Sequence, residues 1–240
     1  MKISVIVPAF NEEKLLGASL EAIKSAASPF ATRGWGFELI VCDNNSTDRT
    51  GEIARAAGAS VVFEPINQIG RARNAGAAAA TGDWLIFVDA DSHPSAGLFD
   101  EVAEQILSGD CLAGGSTLRL DENLFVASLI SRLWNYASRI GRWLAGSFIF
   151  VEAAAFRQAG GFDIQFFAAE ELELSVRLKK LAREKGRRIT VLYKHPMVTS
   201  ARKLRLYTFW EHFKLLGVVI FNRRALMRRE ACTIWYDGRR

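Results

Sequence analysis

The stretch Gly82-Asp-Trp-Leu-Ile-Phe-Val-Asp-Ala-Asp91 decides how the rest of the chain is read. Trp84 to Val88 is a short, continuously apolar run, too brief for a helix and lacking the alternation of a strand with one wet face. Such a run suits a parallel sheet covered on both sides. Two carboxylates, Asp89 and Asp91, follow it at once. At a strand end they can aim oxygens into one space, and oxygen-rich sites suit hard cations such as Mg²⁺ or Mn²⁺ that keep positions open for phosphates. An acidic turn capping the next helix is the plainer explanation of an isolated pair. Its position behind a buried strand favours the metal.

Working outward, the same alternation of periods recurs. Ile3 to Val7 is a β-rich run ended by Pro8, and Asn11 is placed to cap a helix with Glu12 and Glu13 in its first turn and Leu15, Leu16, Leu20 and Ile23 at helical spacing. Phe37 to Cys42 and Ser60 to Phe63 read as strands, with a short helix between them. An Ala-rich helix runs from about Gly70 to Ala80, and Pro94 opens one carrying Leu98, Val102 and Ile106. Strands are expected at Cys111 to Leu120, Ser147 to Val151 and Arg188 to Tyr193. Helices are expected at Leu124 to Trp143, about Glu170 to Lys185, and from Tyr207 onward. The pattern predicts an α/β fold with a mostly parallel, doubly wound sheet flanked by helices. Residues 1–205 are expected to form one domain, with halves 1–115 and 116–205, and residues 206–240 a helical basic segment.

Composition narrows the function. The chain has 240 residues, half of them apolar and 24% charged, which excludes disordered and low-complexity classes. Cys42, Cys111 and Cys232 are too few and too scattered for a disulfide framework or a zinc ligand set, so a reducing compartment is expected. The opening strand is too short for a signal peptide, and the run Leu215 to Phe221 falls well below the ~20 residues of a membrane-crossing helix. The expectation is a cytoplasmic protein, soluble or peripheral on the membrane's inner face.

Charge is uneven. Residues 194–240 hold 11 basic and 3 acidic side chains, whereas the preceding 193 hold 20 and 23. An anionic partner is expected at the C-terminal segment. Nucleic acid is not expected, because no reading motif accompanies the charge. Leu206, Phe209, Trp210, Phe213, Leu216 and Ile220 follow helical spacing there, compatible with lying on an anionic bilayer. A core-packing helix followed by a solvated basic tail gives the same pattern.

In a doubly wound sheet, ligands bind beyond the carboxyl ends of the strands. Three such ends are polar: Pro8-Ala9-Phe-Asn-Glu12, Asp43 to Asp48, and Asp89-Ala90-Asp91. Asp43 could accept from a base N–H or a ribose hydroxyl, although turn chemistry also places acids there. In Gly70-Arg-Ala-Arg-Asn-Ala-Gly76, Arg71 or Arg73 could meet a phosphate at a helix start. Neither G-x-G-x-x-G nor G-x-x-x-x-G-K-[ST] occurs, which counts against a dinucleotide oxidoreductase and a P-loop ATPase. Glu170, Glu171 and Glu173 complement a helix dipole, or one of them serves as a general base raised by burial and by its neighbours. His195 is either a surface histidine, a metal ligand with Asp91, or a phosphate contact.

Together, Ile3 to Glu13, Val41 to Asp48, Arg71 to Gly76, Gly82 to Asp91, and Gly160-Gly161-Phe-Asp163 followed by Glu170-Glu171 resemble family 2 glycosyltransferases in order and spacing. The resemblance implies the glycosyltransferase A fold, a nucleotide-diphosphate sugar donor and inversion at the anomeric carbon. It implies that Pro8, Ala9, Asn11 and Glu12 line the nucleotide pocket and that Asp43 meets the base, with Arg71, Asn74 and Ala90 around the donor. Asp89 and Asp91 become carboxylates for ribose, diphosphate and Mn²⁺ or Mg²⁺. The catalytic base falls on Glu171, where the family usually has Asp, with Glu170 and Gly161 beside the acceptor. Val198 to Lys203, which includes Arg202, is similar to a stretch following the last core strand in some members, where a nearby histidine binds metal; that histidine would be His195. The acceptor is expected to be a glycan or a lipid-linked hydroxyl. A nucleotidyltransferase would want a Gly-rich basic loop where Ala9 to Glu12 stands, and a non-catalytic sugar-binding module would not need Glu171.

Overall fold

The computed structural model describes residues 1–122, 125–144, 146–202 and 223–232. Eight strands form one sheet: β1 (Lys2–Ala9), β2 (Gly36–Asp43), β3 (Ser60–Phe63), β4 (Trp84–Val88), β5 (Ser92–His93), β6 (Cys111–Leu120), β7 (Phe148–Glu152) and β8 (Arg188–Thr199). Their spatial order is β3-β2-β1-β4-β7-β6-β8-β5. β1 pairs in parallel with β2 and β4, β2 with β3, and β6 with β8. β7 runs antiparallel to β4 and β6, so it joins the parallel strands β1 to β4 to the second half of the sheet.

The helices α1 (Leu16–Ala26), α2 (Ser28–Thr32), α3 (Thr50–Ala56) and α5 (Ala96–Leu107) share one buried core with the sheet. A second core joins α4 (Ile69–Ala79), α7 (Ala153–Gln158) and α8 (Glu170–Glu184) to the opposite face. α6 (Phe125–Gly141) packs along β6. All five residues of β4 are buried, as the continuous apolar run requires. Phe87, its fourth residue, lies 5.3 Å from the Phe156 ring and 5.1 Å from Phe162, contacts that contribute ~0.5–1.5 kcal/mol each. This aromatic cluster also supports the loop leading into α8.

Two helix starts differ from the sequence expectation. α1 begins at Leu16 without a side-chain cap, because Asn11 adopts a left-handed φ of 52° and turns its carbonyl to the neighbouring loop. α5 begins at Ala96 with the Ser95 hydroxyl accepting from Leu98 N–H, so Pro94 stands just outside it. β8 continues past Tyr193 to Thr199 because its second half pairs with both β6 and β5. The helix expected from Tyr207 lies mostly outside the described residues. The described part, 223–232, forms two 3₁₀ turns whose Leu226 and Cys232 pack on Phe166 and Ala168, just ahead of α8. No helix among the described residues is long and apolar enough to cross a membrane. All three cysteines are free and buried; burial pushes Cys42 up to about 12 and Cys111 and Cys232 up to about 11, which keeps them as thiols.

Candidate active site

The three polar strand ends meet at one rim of the sheet. In the parallel register Ala9 lies opposite Asp43 and Ile6 opposite Phe87, so the segments after β1, β2 and β4 emerge side by side. Pro8, Ala9 and Ala90 are buried, and the last two belong to the core. Asn11 is stitched to the β2–α3 loop: its N–H donates to Ser46 Oγ at 3.0 Å and its Oδ1 accepts from Thr47 N–H at 2.8 Å. Glu12 N–H donates to Thr50 Oγ1 at 2.8 Å. Asp43 Oδ1 accepts from Ser46 N–H at 3.0 Å, so one oxygen of this carboxylate holds the turn.

Arg73 is the hub. It lies on the buried face of α4 with Gly70, Ala72, Gly76 and Ala77, and only 2% of its surface is exposed. A buried guanidinium requires charged partners. Its Nη1 donates to Glu170 Oε1 at 2.6 Å, and its Nη2 donates to Asp89 Oδ1 at 2.9 Å and to the Gly146 carbonyl at 2.8 Å. The guanidinium also lies 5.2 Å from the centre of the Phe162 ring. One side chain therefore ties the end of β4 to the start of α8. A Cβ on Gly146 would come within 3.2 Å of Arg73 Nη2 and 3.4 Å of Glu171 Oε1, so glycine lets this loop close over both groups.

One cation faces three carboxyls, and the titration follows from that. Burial raises Glu171, the Glu170 charge raises it further, and together they outweigh Arg73, leaving it at about 8. Burial also raises Glu170, against the pull of Arg73. Burial alone would lower Arg73, but Asp89, Glu170 and Glu171 push it upward and keep it charged. Glu171 thus holds its proton at neutral pH and gives it up slightly above, a range that suits a general base.

Glu12 and Arg202 meet although 190 positions apart. Arg202 Nη2 donates to both Glu12 carboxylate oxygens at 2.8 Å and lies 3.9 Å from Asp91 Oδ2. Ser200 N–H donates to the Asp91 carbonyl at 3.1 Å, which brings the end of β8 to this rim. Asp89 and Asp91 offer an all-oxygen donor set. Among the described residues, no group of three or more acids, histidines or cysteines could hold a metal by itself. Two carboxylates still fit Mg²⁺ or Mn²⁺ when phosphate oxygens and water complete the sphere.

Three of the expected site residues make contacts within the fold. His195 is set against α5: its Nδ1 lies 2.7 Å from Glu101 Oε1, which also accepts its backbone N–H at 2.9 Å. A Cβ on Gly97 would come within 2.6 Å of His195 Nε2, so the ring lies against that helix, with Glu101 as its partner. Asn74 was expected around the donor, yet both ends of its amide serve Phe162: Nδ2 donates to the carbonyl at 2.8 Å and Oδ1 accepts from the N–H at 2.9 Å. It braces the turn containing Gly161, whose φ of +71° and 2.7 Å Cβ approach to Asn74 Oδ1 require glycine. Arg71, in the first turn of α4, donates from Nε to Gln68 Oε1 at 3.0 Å, and Gln68 in turn donates to the carbonyls of Ile164 and Phe166. The organising role of Arg73 was missed, although an arginine on the Gly/Ala face of a helix was a signal that acids had to converge on it.

The chain matches the glycosyl transferase family 2 profile over residues 4–161. An uncharacterized glycosyltransferase of Mycobacterium tuberculosis is 36% identical over 113 residues, 47% of each chain, so the alignment spans about half the length of that curated relative. Among solved structures, S. aureus TarS 1-349 in complex with UDP-GlcNAc superposes with a TM-score of 0.66 at 22% identity, covering 99% of this chain and 73% of that one. The mannosyltransferase PcManGT from Pyrobaculum calidifontis, in complex with GDP-Man and Mn²⁺, gives 0.71 at 17% identity, covering 96% and 64%. These likenesses establish the glycosyltransferase A fold, and with the profile match across most of the strands and loops just described, the chain belongs to glycosyl transferase family 2.

Proposed function

We propose that this protein transfers a sugar from a nucleotide-diphosphate donor, a UDP-linked hexose, to a hydroxyl of a glycan or lipid-linked acceptor, with inversion at the anomeric carbon. Residues 1–115 supply the donor face and residues 116–205 the acceptor face and the base. The acceptor oxygen forms a bond to the anomeric carbon as the bond from that carbon to the diphosphate oxygen breaks. The acceptor's proton passes to Glu171, and the electron pair departs with the diphosphate. Asp89 and Asp91 would hold Mn²⁺ or Mg²⁺, which neutralises charge on the leaving diphosphate when bound. Arg73 keeps Asp89 and Glu170 in place, and burial, with the Glu170 charge second, raises the proton affinity of Glu171.

The observation that carries this reading is the single buried arginine joining Asp89 to Glu170, directly beside Glu171. The donors held by the TarS and PcManGT structures, and the Mn²⁺ of the latter, support the donor class and the cation. The test is a panel of nucleotide sugars with Mn²⁺ and with chelator, read by thermal shift and by nucleoside diphosphate release. A UDP-hexose should stabilise the protein only with the cation, and Asp91→Asn and Glu171→Gln should each cut release at least ~100-fold. Undiminished turnover in both variants would remove the mechanism.

A further inference from the structure

Over residues 131–141, α6 turns polar side chains to the protein and apolar ones away from it. Its Asn135 and Ser138 face the protein: Ser138 is buried, and the Asn135 amide donates to the Leu118 carbonyl and accepts from its N–H, both at 2.8 Å, where β6 and β8 slip register. Leu133, Tyr136 and Ile140 are spaced three and four apart, so they share the opposite face. They are 63%, 67% and 68% exposed. An amphipathic helix in a globular protein normally turns its apolar stripe inward. Here the stripe faces solvent, with Arg139 at its flank stacked 4.0 Å from the ring of the exposed Tyr193.

The C-terminal end of this helix opens on a cavity of about 340 Å³ lined by Ile140, Arg142, Lys179, Arg183, Arg187 and Arg188. Two of its cations are matched, Arg187 by Glu152 and Arg188 by Asp110. Arg142, Lys179 and Arg183 have no carboxylate partner among the described residues. The Lys179 ammonium sits 3.8 Å from the Trp143 ring; burial first, then Arg183 and Arg142, lower its proton affinity. Unmatched cations converging on a cavity favour an anion, and the adjoining apolar stripe favours a hydrocarbon boundary. The two features occur together on a lipid surface. A second copy of the chain fits less well, since a two-fold contact through this face would bring the two cation sets together.

We propose that this face docks the protein on an anionic phospholipid bilayer, with Leu133, Tyr136 and Ile140 entering the head-group boundary and Arg142, Lys179 and Arg183 holding a lipid phosphate. Its residues are other than those of the basic segment 206–240. It also adjoins the acceptor side of the site: Leu144 N–H donates to Ser175 Oγ at 3.1 Å, and Ser175 Oγ donates to the Glu171 carbonyl at 2.7 Å. Docking here would place an acceptor displayed on the membrane within reach of that loop.

The test is flotation of the full chain with phosphatidylcholine vesicles and with vesicles that also contain phosphatidylglycerol. The two variant sets are Leu133→Ser/Tyr136→Ser/Ile140→Ser and Arg142→Glu/Lys179→Glu/Arg183→Glu, each checked for an unchanged melting temperature. Binding should require phosphatidylglycerol, weaken with added salt, and fall roughly fivefold for each cation lost, the equivalent of the ~1 kcal/mol per basic side chain near an anionic surface. The serine set should also release the protein. Failure to float, equal flotation on both vesicle types, or flotation unchanged in both variant sets would overturn the proposal. So would a dimer in solution that the serine set dissociates.

Discussion

The Glu171 carboxyl links the stability of the fold to pH through one proton. Its carboxyl moves from an ordinary value of 4.5 to about 8 in the fold, so the folded state prefers the protonated form. The stability this contributes is complete below 4.5 and is lost as pH rises through about 8. Glu171→Gln mimics the protonated group. Its melting temperature should therefore match the wild type in acid and exceed it increasingly toward alkaline pH; a constant difference across the range would place the proton elsewhere. Arg73 carries the opposite liability. Arg73→Met leaves Glu170 and Asp89 without their shared cation, and unfolding in urea should reveal a loss of about 3–5 kcal/mol, typical of a broken buried ion pair. A loss below ~1 kcal/mol would mean that solvent already compensates the acids. The places of Asp89 and Asp91 were legible from the strand end they follow, whereas Glu171 was singled out from Glu170, Glu171 and Glu173 by the family resemblance alone. Arg73 was only half legible: its neighbours placed it beside a phosphate site, but nothing local revealed three acids arriving from positions 89, 170 and 171.

At the scale of elements, the turn before α8 is held by a few groups with no slack. Gly161 needs its left-handed φ, and Asn74 clamps the next residue at both backbone groups. Gly161→Ala should cost about 1–3 kcal/mol, as expected for a side chain forced into that conformation. Asn74→Ala should lose ~1–3 kcal/mol by leaving backbone groups unpaired. Both variants should reduce turnover more than donor affinity, because they displace the proposed base, Glu171, and leave the β1 and β2 loops intact; an effect on affinity alone would contradict that division. The bounds of β3, β4 and β6 were legible to the residue, and for β4 the reason is a continuously apolar run bounded by polar turns. The start of α1 was not. The capping residue expected there, Asn11, is recruited by Thr47 in a loop distant in sequence.

Across the whole molecule, the sheet order was not readable from spacing. β7 lies between β4 and β6 and runs antiparallel to both, and this reversal carries the loop containing Gly146 back over Arg73. The same geometry separates His195 from the aspartates: it precedes by several residues the part of β8 that reaches Asp91, so it meets α5 first. His195→Ala should therefore leave the Mn²⁺ dependence of turnover unchanged while lowering stability modestly through the loss of Glu101, a distinction that parallel metal titrations and melting curves would make. The most direct measurement of the whole account is the pH profile of kcat/KM for nucleoside diphosphate release in the wild type and in Glu171→Gln. The wild-type rate should climb with pH and level off above about 8, and the variant should be slow and flat. A wild-type profile with no rise toward that value, or a variant that keeps the rise, would contradict the assignment of Glu171 as the base.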